Sequence, residues 1–193
     1  MKLHVVGNGS SSGVRAVSEG KADIGMISSS VESMKKKIQD AKWDKIKSHD
    51  IGIACIAFVV HKKNPVTNLT LAQLTDILSG KIKKWSEVGG EDKPIVIVSE
   101  FAGGGTHSTV GKNLLRAAIG GKLKELANAP QIIKVTSQLP TALGVANSAI
   151  LSDKIKEIKT DKNIEQPLTI LTIGDPSVNA KKLIDAIKAL NIK

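Results

Sequence analysis

The clearest structural signal in this chain of 193 residues lies in residues 64–90, NPVTNLTLAQLTDILSGKIKKWSEVGG. Thr70 stands directly before an apolar stretch and is a residue type that caps helix N-termini, so we predict a helix over residues 71–78. Gly80 ends that helix, because glycine readily adopts the left-handed conformation found at many helix C-termini. Trp85 is expected to anchor the turn that follows. The stretch therefore predicts a capped helix joined to a fixed turn.

Short apolar runs and helical patterns alternate on both sides of this stretch. We predict further helices over residues 14–19, 31–47, 108–127 and 178–190, and strands over residues 3–6, 22–28, 51–61, 95–98, 132–135 and 168–173. Alternation of this kind indicates an α/β fold with mainly parallel sheets. A chain of this length suffices for two small lobes with a buried core.

The charge balance bears on the kind of partner that the chain binds. Its 28 Lys and Arg residues exceed its 18 Asp and Glu residues, which gives a net charge of +10. Only Arg15 and Arg116 are arginines, and aromatic residues make up 2% of the chain. Nucleic-acid-binding proteins favour arginine forks and aromatic stacking platforms. We therefore expect a solvated lysine-rich surface and no nucleic-acid partner.

The cysteine, the histidines and the apolar runs further limit the class of protein. Cys55 is the single cysteine, which excludes an internal disulfide and a cysteine-rich zinc site. His4, His49 and His61 have no partners at the spacing of metal ligands, so we expect neither a metal nor a cofactor. The longest uncharged apolar run, residues 51–60, is too short to span a bilayer, and no signal-peptide region is visible. These features predict a soluble globular protein.

Two loops combine glycine with serine or threonine between a predicted strand and a predicted helix. The first comprises residues 7–13 and the second residues 103–108. Glycine lets backbone N–H groups approach a bound oxygen, hydroxyl groups add donors, and the N-terminus of the next helix favours an anion. Simple helix capping is the alternative explanation for each loop taken alone. Neither loop has the spacing of a P-loop or of a dinucleotide-binding loop.

The candidate ligand-binding residues belong to these loops and to one strand end. They are Ser10, Ser11 and Ser12 in the first loop, Gly104, Gly105 and Thr106 in the second, and Ser28 at the end of another predicted strand. His107 is the candidate for a pH-sensitive contact, with a partly exposed histidine at a helix start as the alternative. No nucleophile stands with a matched base, so we expect no enzyme.

Four segments together carry a likeness to a known family. They are GNGSSSGV at residues 7–14, GKADIG at residues 20–25, residues 64–90, and GGGT at residues 103–106. With these segments the chain resembles the phosphate-binding family of ABC-transporter solute-binding proteins, which have the type II periplasmic-binding-protein fold. Residues 64–90 are the most specific, because their proline, helix, glycine and tryptophan fall in the family's order.

The resemblance implies an α/β fold of two lobes joined by two crossing strands, with a small solute held in the cleft. The first lobe would comprise residues 1–58 and 150–193, and the second residues 59–149, with crossings at residues 51–61 and 144–149. The resemblance also implies a periplasmic or otherwise extracytoplasmic protein. Its partners would be the solute and the membrane component of an ABC transporter.

Three positions depart from the family's phosphate site. The family has an arginine where this chain has Glu100, a loop serine where it has Gly104, and a carboxylate near the position of Ser28. Two like charges about 4 Å apart repel by roughly 4 kcal/mol at an effective dielectric of about 20, which weakens binding about a thousandfold. We therefore expect weak phosphate binding unless Glu100 turns into solvent. The other possibility is a different solute, one with a cationic or hydrogen-donating group.

The family's first strand and helix, which precede the first loop, are absent from this sequence. The resemblance therefore implies a first lobe that is incomplete at its N-terminus and exposes a strand edge. Three explanations stay open: a shortened sequence, a second chain that supplies the missing strand, and strand exchange within a dimer. A shortened sequence agrees with the absent signal peptide, whereas a natural start at Met1 would place the protein in the cytoplasm.

The leading hypothesis is a solute-binding protein that holds a small ligand, either an oxyanion such as phosphate or another solute, between two lobes. The alternative is a degenerate binding-protein fold that binds no solute. Such a fold would act as a protein-interaction or assembly module completed by a partner strand.

Overall fold

The computed structural model describes residues 2–102, 104–115, 119–147 and 153–190. The chain forms two compact units. Unit 1 comprises Met1–Ala54, Gly103–Gly105 and Glu165–Lys193, and unit 2 comprises Cys55–Ala102 and Thr106–Ile164. The lobe boundaries implied by the resemblance, residues 1–58 with 150–193 and residues 59–149, stay a prediction.

Helices and strands alternate along much of the chain, so the α/β class is confirmed. The α-helices are α1 (Ser10–Ser18), α2 (Val31–Lys37), α3 (Leu71–Ser79), α4 (Gly105–Val110), α5 (Ala129–Thr136) and α6 (Val178–Ala189). The strands are β1 (Gly25–Ile27), β2 (Ile46–His61), β3 (Asn68–Leu69), β4 (Val96–Glu100), β5 (Leu123–Leu126), β6 (Ala142–Asn147), β7 (Ile155–Glu157), β8 (Lys159–Thr160) and β9 (Glu165–Ile173). None of the described helices is long and apolar enough to cross a membrane.

The sheet of unit 1 has β9 between β1 and β2, and β1 runs antiparallel to β9. A cluster that includes Val14 of α1, Met34 of α2 and Leu171 of β9 covers one face of this sheet. A smaller cluster joins Ile170 of β9 to Ile184 of α6. Successive residues of a strand point to opposite faces, so α6 lies on the face opposite to α1 and α2.

The sheet of unit 2 is built on β2, β6, β4 and β5. β6 and β7 both run antiparallel to β2, while β4 runs parallel to β5 and to β6. The expectation of mainly parallel sheets is therefore wrong for this sheet, which is mixed. Phe58, Leu74 and Trp85 belong to a buried cluster that packs against the sheet, and Ile132 of α5 belongs to a second one.

The prediction drawn from residues 64–90 is confirmed in detail. Thr70 Oγ1 accepts a hydrogen bond from Gln73 N at 3.1 Å, and Gln73 Oε1 accepts one from Thr70 N at 3.0 Å. This reciprocal pair is a capping box, and Gly80 ends α3 with a φ of 82°. Trp85 is 2% exposed, and its Nε1 donates to Thr141 O at 3.1 Å.

Two predicted strands are wrong. Residues 2–9 have no regular secondary structure, so the strand expected at residues 3–6 is absent. Residues 132–135 lie in α5 instead of a strand. Asn128 caps this helix by accepting a hydrogen bond from Gln131 N, and a proline in its first turn favours the helical start. Ile132, Ile133 and Val135 therefore pack within a helix, while Lys134 between them is exposed.

Three predicted helices have wrong bounds. α1 begins four residues earlier than expected, at Ser10. α2 ends at Lys37, and the Ile38 carbonyl accepts a hydrogen bond from Trp43 Nε1 at 2.7 Å instead of continuing the helix. The helix expected over residues 108–127 is replaced by α4, a π-helical turn and β5. The glycine pair interrupts the predicted helix. Gly120 N and Gly121 N both donate hydrogen bonds to the Leu78 carbonyl oxygen of α3 instead of to helical partners.

Candidate functional site

The first glycine-serine loop of unit 1 leads directly into α1. Gly9 precedes the helix with a φ of 82°, a conformation that a side chain disfavours. No side chain caps the helix at Gly9, and the Gly9 carbonyl accepts hydrogen bonds from Ser12 N and Gly13 N. Ser10 and Ser11 are therefore the first two residues of a helix whose N-terminus favours negative charge. Ser12 lies in the same turn and is exposed.

Ser10 and Ser28, which are 18 positions apart in the sequence, come together in unit 1. Ser10 Oγ accepts a hydrogen bond from Ser28 N at 3.1 Å and lies 3.4 Å from Ser28 Oγ. Ser10 is 3% exposed, so its hydroxyl group is fixed rather than solvated. The structure thus joins the first loop to the strand end that carries Ser28, another of the candidate residues.

Gly105 belongs to unit 1 and packs against these two serines. A Cβ built on Gly105 would overlap Ser28 Oγ and would lie 2.6 Å from Ser10 Oγ and 2.8 Å from the Ser28 carbonyl oxygen. Only glycine fits without a displacement of its neighbours. We call Ser10, Ser28 and Gly105 the serine cluster.

Gln166 contacts the serine cluster, and the sequence analysis did not identify it. It lies on β9, is fully buried, and donates from Nε2 to the Ser28 carbonyl oxygen at 2.6 Å. The predicted strand begins only at residue 168 and lies outside the glycine loops, which explains the omission. A polar amide at a buried strand position is the signal that would have found it, since buried polar groups are held by hydrogen bonds.

Glu100 occupies the end of β4 in unit 2. Its Oε2 accepts a hydrogen bond from Thr106 N at 3.2 Å. Burial raises the pKa of the Glu100 carboxyl above its ordinary value, and hydrogen bonds from the Thr106 backbone and side chain act in the opposite direction. No ion pair of Glu100 is found among the residues that the structure describes. Glu100 is half-buried, so it does not turn fully into solvent.

The remaining candidates lie in the first turns around α4. Gly104 and Thr106 are buried, and His107 is half-buried. All three form interactions within the chain. The structure therefore brings Ser10, Ser28 and Gly105 together in unit 1, and Glu100 and Thr106 together in unit 2. The binding roles of all nine candidates stay a prediction.

In the described part of the chain, no group of three or more His, Cys, Asp or Glu residues is placed to hold a metal ion. Cys55 is a free, half-buried cysteine on β2. The hydroxyl groups and helix N–H groups of unit 1 suit a polar ligand held by hydrogen bonds.

A helix N-terminus lined with serines in an α/β fold suits a ligand-binding protein. The family model of the PBP superfamily domain matches residues 1–190. The chain therefore belongs to the PBP superfamily, and the predicted membership in this fold family is confirmed.

Curated relatives agree with this assignment. The phosphate-binding protein PstS of Bacillus subtilis strain 168 is 29% identical over 205 residues, covering 99% of this chain and 67% of that protein. The phosphate-binding protein PstS 2 of Streptococcus agalactiae serotype V is 38% identical over 79 residues, or 41% of this chain and 25% of that protein. The chain thus spans only part of the length of both relatives.

Solved structures have the same fold. One is described as a putative phosphate ABC transporter substrate-binding protein with bound phosphate from Clostridium perfringens. It has a TM-score of 0.80 and 27% identity, covering 93% of this chain and 78% of the other. A phosphate transport receptor from Vibrio cholerae has a TM-score of 0.63 at 24% identity, covering 94% and 80%, and supports the fold alone.

Proposed function

We propose that this chain is a solute-binding protein that holds a small oxyanion, with inorganic phosphate as the first ligand to test, and that it works with an ABC transporter. The observation that carries the proposal is the serine cluster at the N-terminus of α1. The Bacillus subtilis relative is named for phosphate binding, and the Clostridium perfringens structure is described with bound phosphate.

The serine cluster supplies donors of the kind that an oxyanion needs. Ser10 Oγ accepts the Ser28 amide hydrogen, so its own hydroxyl proton can be donated either to Ser28 Oγ or to a ligand. The N-terminal N–H groups of α1 and the helix dipole add to the attraction for negative charge. Because Gly105 has no side chain, its backbone can lie against both serines.

Glu100 lowers the affinity for an anion. Its carboxylate already accepts the Thr106 N–H, a donor that would otherwise be available to a ligand. It also carries a negative charge with no ion-paired cation in the described part of the chain. The resemblance sets Glu100 at the family's phosphate site, where this charge would repel an anion unless the carboxyl is protonated. We therefore place phosphate affinity below that of a site without this carboxylate.

The relatives also bear on location, catalysis and the alternative function. They are named as binding proteins, and we propose that this chain likewise catalyses no reaction and works outside the cytoplasm. The alternative, an assembly module without a solute, is not favoured by these names. Closure of two lobes on the ligand stays a prediction.

The test is calorimetric titration and thermal unfolding of the 193-residue protein with phosphate and with sulfate. A ligand at 100 times its dissociation constant stabilises a protein by about 2.7 kcal/mol. We expect phosphate to raise the unfolding temperature, and Glu100→Gln to bind phosphate at least about tenfold more tightly because the like charge is gone.

Ser48→Ala is the control for Ser10→Ala. Both serines belong to unit 1, but Ser10 is buried against Ser28, whereas Ser48 is exposed on β2. We expect Ser10→Ala to weaken phosphate binding and Ser48→Ala to change it little. A well-folded wild-type protein whose unfolding temperature is unchanged by phosphate and by sulfate contradicts the proposed function.

A further inference from the structure

Gln166 on β9 buries a side-chain amide completely inside unit 1. Burial of a primary amide is unfavourable unless hydrogen bonds replace those that it made with water. Its Nε2 donates to the Ser28 carbonyl oxygen at 2.6 Å, which is short for a hydrogen bond of this type. The amide therefore contacts the serine cluster from a strand that belongs to neither glycine loop.

Ser28 lies where the backbone ladder between β1 and β9 has ended. The last residue pair of that ladder joins Ile27 to Thr169, and Ser28 is the next residue along the chain. The Gln166 side chain binds the Ser28 carbonyl just beyond this point. A side-chain amide offers the same kind of donor as a peptide group, so Gln166 extends the hold of β9 on this segment by one residue.

The backbone of Ser28 is also held by Ser10. Ser28 N donates to Ser10 Oγ at 3.1 Å, while the Ser28 carbonyl accepts from Gln166. Because Ser10 Oγ already accepts this hydrogen bond, its own proton is available for donation. A movement of the Ser28 backbone would therefore change the direction in which the Ser10 hydroxyl group donates.

The Ser28 carbonyl oxygen also affects the electrostatics of the serine cluster. It lies close to Gly105, where a Cβ would be only 2.8 Å away from it. A carbonyl oxygen carries partial negative charge, which opposes the binding of an anion nearby. The Gln166 amide donates to this oxygen and offsets that charge, since a hydrogen bond is electrostatically stronger in a buried environment than in water.

We propose that Gln166 is a positioning residue for an oxyanion bound at the serine cluster. It holds the Ser28 backbone so that the Ser10 hydroxyl group donates to the ligand, and it offsets the partial charge of the Ser28 carbonyl. The inference rests on the proposed function, because it concerns the same site. It makes the affinity for an anion depend on a side chain of β9 that the glycine loops do not include.

Calorimetric titration of the 193-residue protein with phosphate and with sulfate measures this dependence. Gln166→Met keeps the length of the side chain and removes the donor, so we expect it to weaken the binding of both anions at least about tenfold. Thr172→Val is the matched control. Thr172 is also buried on β9, and its Oγ1 donates to the Gly174 carbonyl at 2.9 Å instead of to the serine cluster. This variant should lower the free energy of unfolding but leave both affinities unchanged.

Gln166→Glu separates a positioning role from a merely structural one through its pH profile. The introduced carboxyl donates to the Ser28 carbonyl when it is protonated, whereas its ionised form has only acceptors and is repelled by that oxygen. Burial raises the pKa of such a carboxyl above the ordinary range of glutamate. We expect its anion affinity, divided by that of the wild type for the same anion at the same pH, to recover towards one as the pH falls. The ratio cancels titrations that both proteins share, such as that of Glu100.

Circular dichroism and urea unfolding verify that the variants are folded, and the pH profile of Gln166→Glu decides alone if Gln166→Met does not fold. A wild type that binds neither anion contradicts the proposed function and this inference together, and that result is seen before any variant is made. Where the wild type binds, three results overturn the inference alone. They are a Gln166→Met variant that binds as tightly as the wild type, a Thr172→Val variant that weakens binding as much as Gln166→Met does, and a Gln166→Glu ratio that does not change with pH.

Discussion

Unit 1 and unit 2 differ in how completely they bury their own apolar residues. Unit 2 packs two buried clusters against its sheet and fixes its turns with the Thr70 capping box and the buried Trp85. Unit 1 has smaller clusters and carries all eight markedly exposed large apolar side chains of the described residues. Yet unit 1 also contains the close contacts of the serine cluster. The close contacts of the serine cluster therefore form in the unit with the smaller buried apolar clusters.

The two tryptophans offer the largest test of this difference. Trp85 in unit 2 is 2% exposed and Trp43 in unit 1 is half-buried, and each donates its Nε1 hydrogen to a backbone carbonyl. We expect Trp85→Ala to lower the free energy of unfolding by about 3–5 kcal/mol, because it leaves a large cavity in the buried cluster and removes one of the two hydrogen bonds to the Thr141 carbonyl. Trp43→Ala should cost about half as much, since less of its ring leaves water.

Urea unfolding followed by circular dichroism measures both variants on one scale. Trp85→Phe is the control for the hydrogen bond, because it keeps most of the ring and removes Nε1. It should recover most of the loss. Equal losses of unfolding free energy for Trp85→Ala and Trp43→Ala would show that the two side chains stabilise their units equally. That result would contradict the difference in burial between unit 1 and unit 2.

The second prediction concerns the close contacts inside unit 1. Gly105→Ala should lower the free energy of unfolding by about 1–3 kcal/mol, because the new Cβ meets the Ser28 carbonyl as well as its hydroxyl group. Rotation of the Ser28 side chain does not relieve the clash with the carbonyl oxygen. Phosphate affinity should fall as well, since Ser10 and Ser28 must move apart.

Gly7→Ala is the matched control. Gly7 lies in the preceding loop, and a Cβ at this position meets no atom within 4 Å. Its unfolding free energy and its phosphate affinity should stay near those of the wild type, measured by urea unfolding and by calorimetry. If Gly105→Ala behaves like Gly7→Ala, the serine cluster is not the close-packed arrangement that the site requires.

The sequence predicted best where a local signal decided the structure. Thr70 and Gly80 fix the ends of α3 through a cap and a left-handed residue, and neither depends on distant contacts. Residues 132–135 show the limit of such reasoning. Their three apolar residues fit a strand or a helix equally well, and the cap at Asn128 favours the helix. The segment 3–6 has strand composition but pairs with no strand among the residues that the structure describes, and composition alone does not supply a partner.

The candidate site was predictable in part for the same reason. Glycine and serine near a helix start are visible in the sequence, and they pointed to Ser10, Ser28 and Gly105. Gln166 was missed because its contact with Ser28 crosses 138 positions of the chain. The resemblance drew attention to Glu100, but only the structure shows that its carboxylate accepts the Thr106 N–H. Long-range hydrogen bonds are what local patterns leave out.

The smallest expected effect is the pH dependence that Glu100 gives to unit 2. Burial raises the pKa of its carboxyl in the folded protein above the ordinary value of 4.5. The folded state therefore holds this proton more tightly than the unfolded state does. The stabilisation from Glu100 is fully present below the unfolded pKa and is lost as the pH rises through the folded pKa. Glu100→Gln removes this contribution, so the difference in unfolding free energy between variant and wild type should shift in favour of the variant as the pH rises through that window.

Urea unfolding at a series of pH values around that window measures the difference directly, and Glu125→Gln serves as the control, since Glu125 is an exposed glutamate of the same unit on β5. Phosphate affinity should rise in the wild type as Glu100 takes up its proton, because the like charge is removed, and it should rise less in Glu100→Gln. A pH profile of Glu100→Gln that parallels the wild type would mean that the carboxyl titrates alike in both states. The hydrogen bonds from Thr106 would then offset the effect of burial fully, and Glu100 would take up its proton in the folded protein at the same pH as in the unfolded chain.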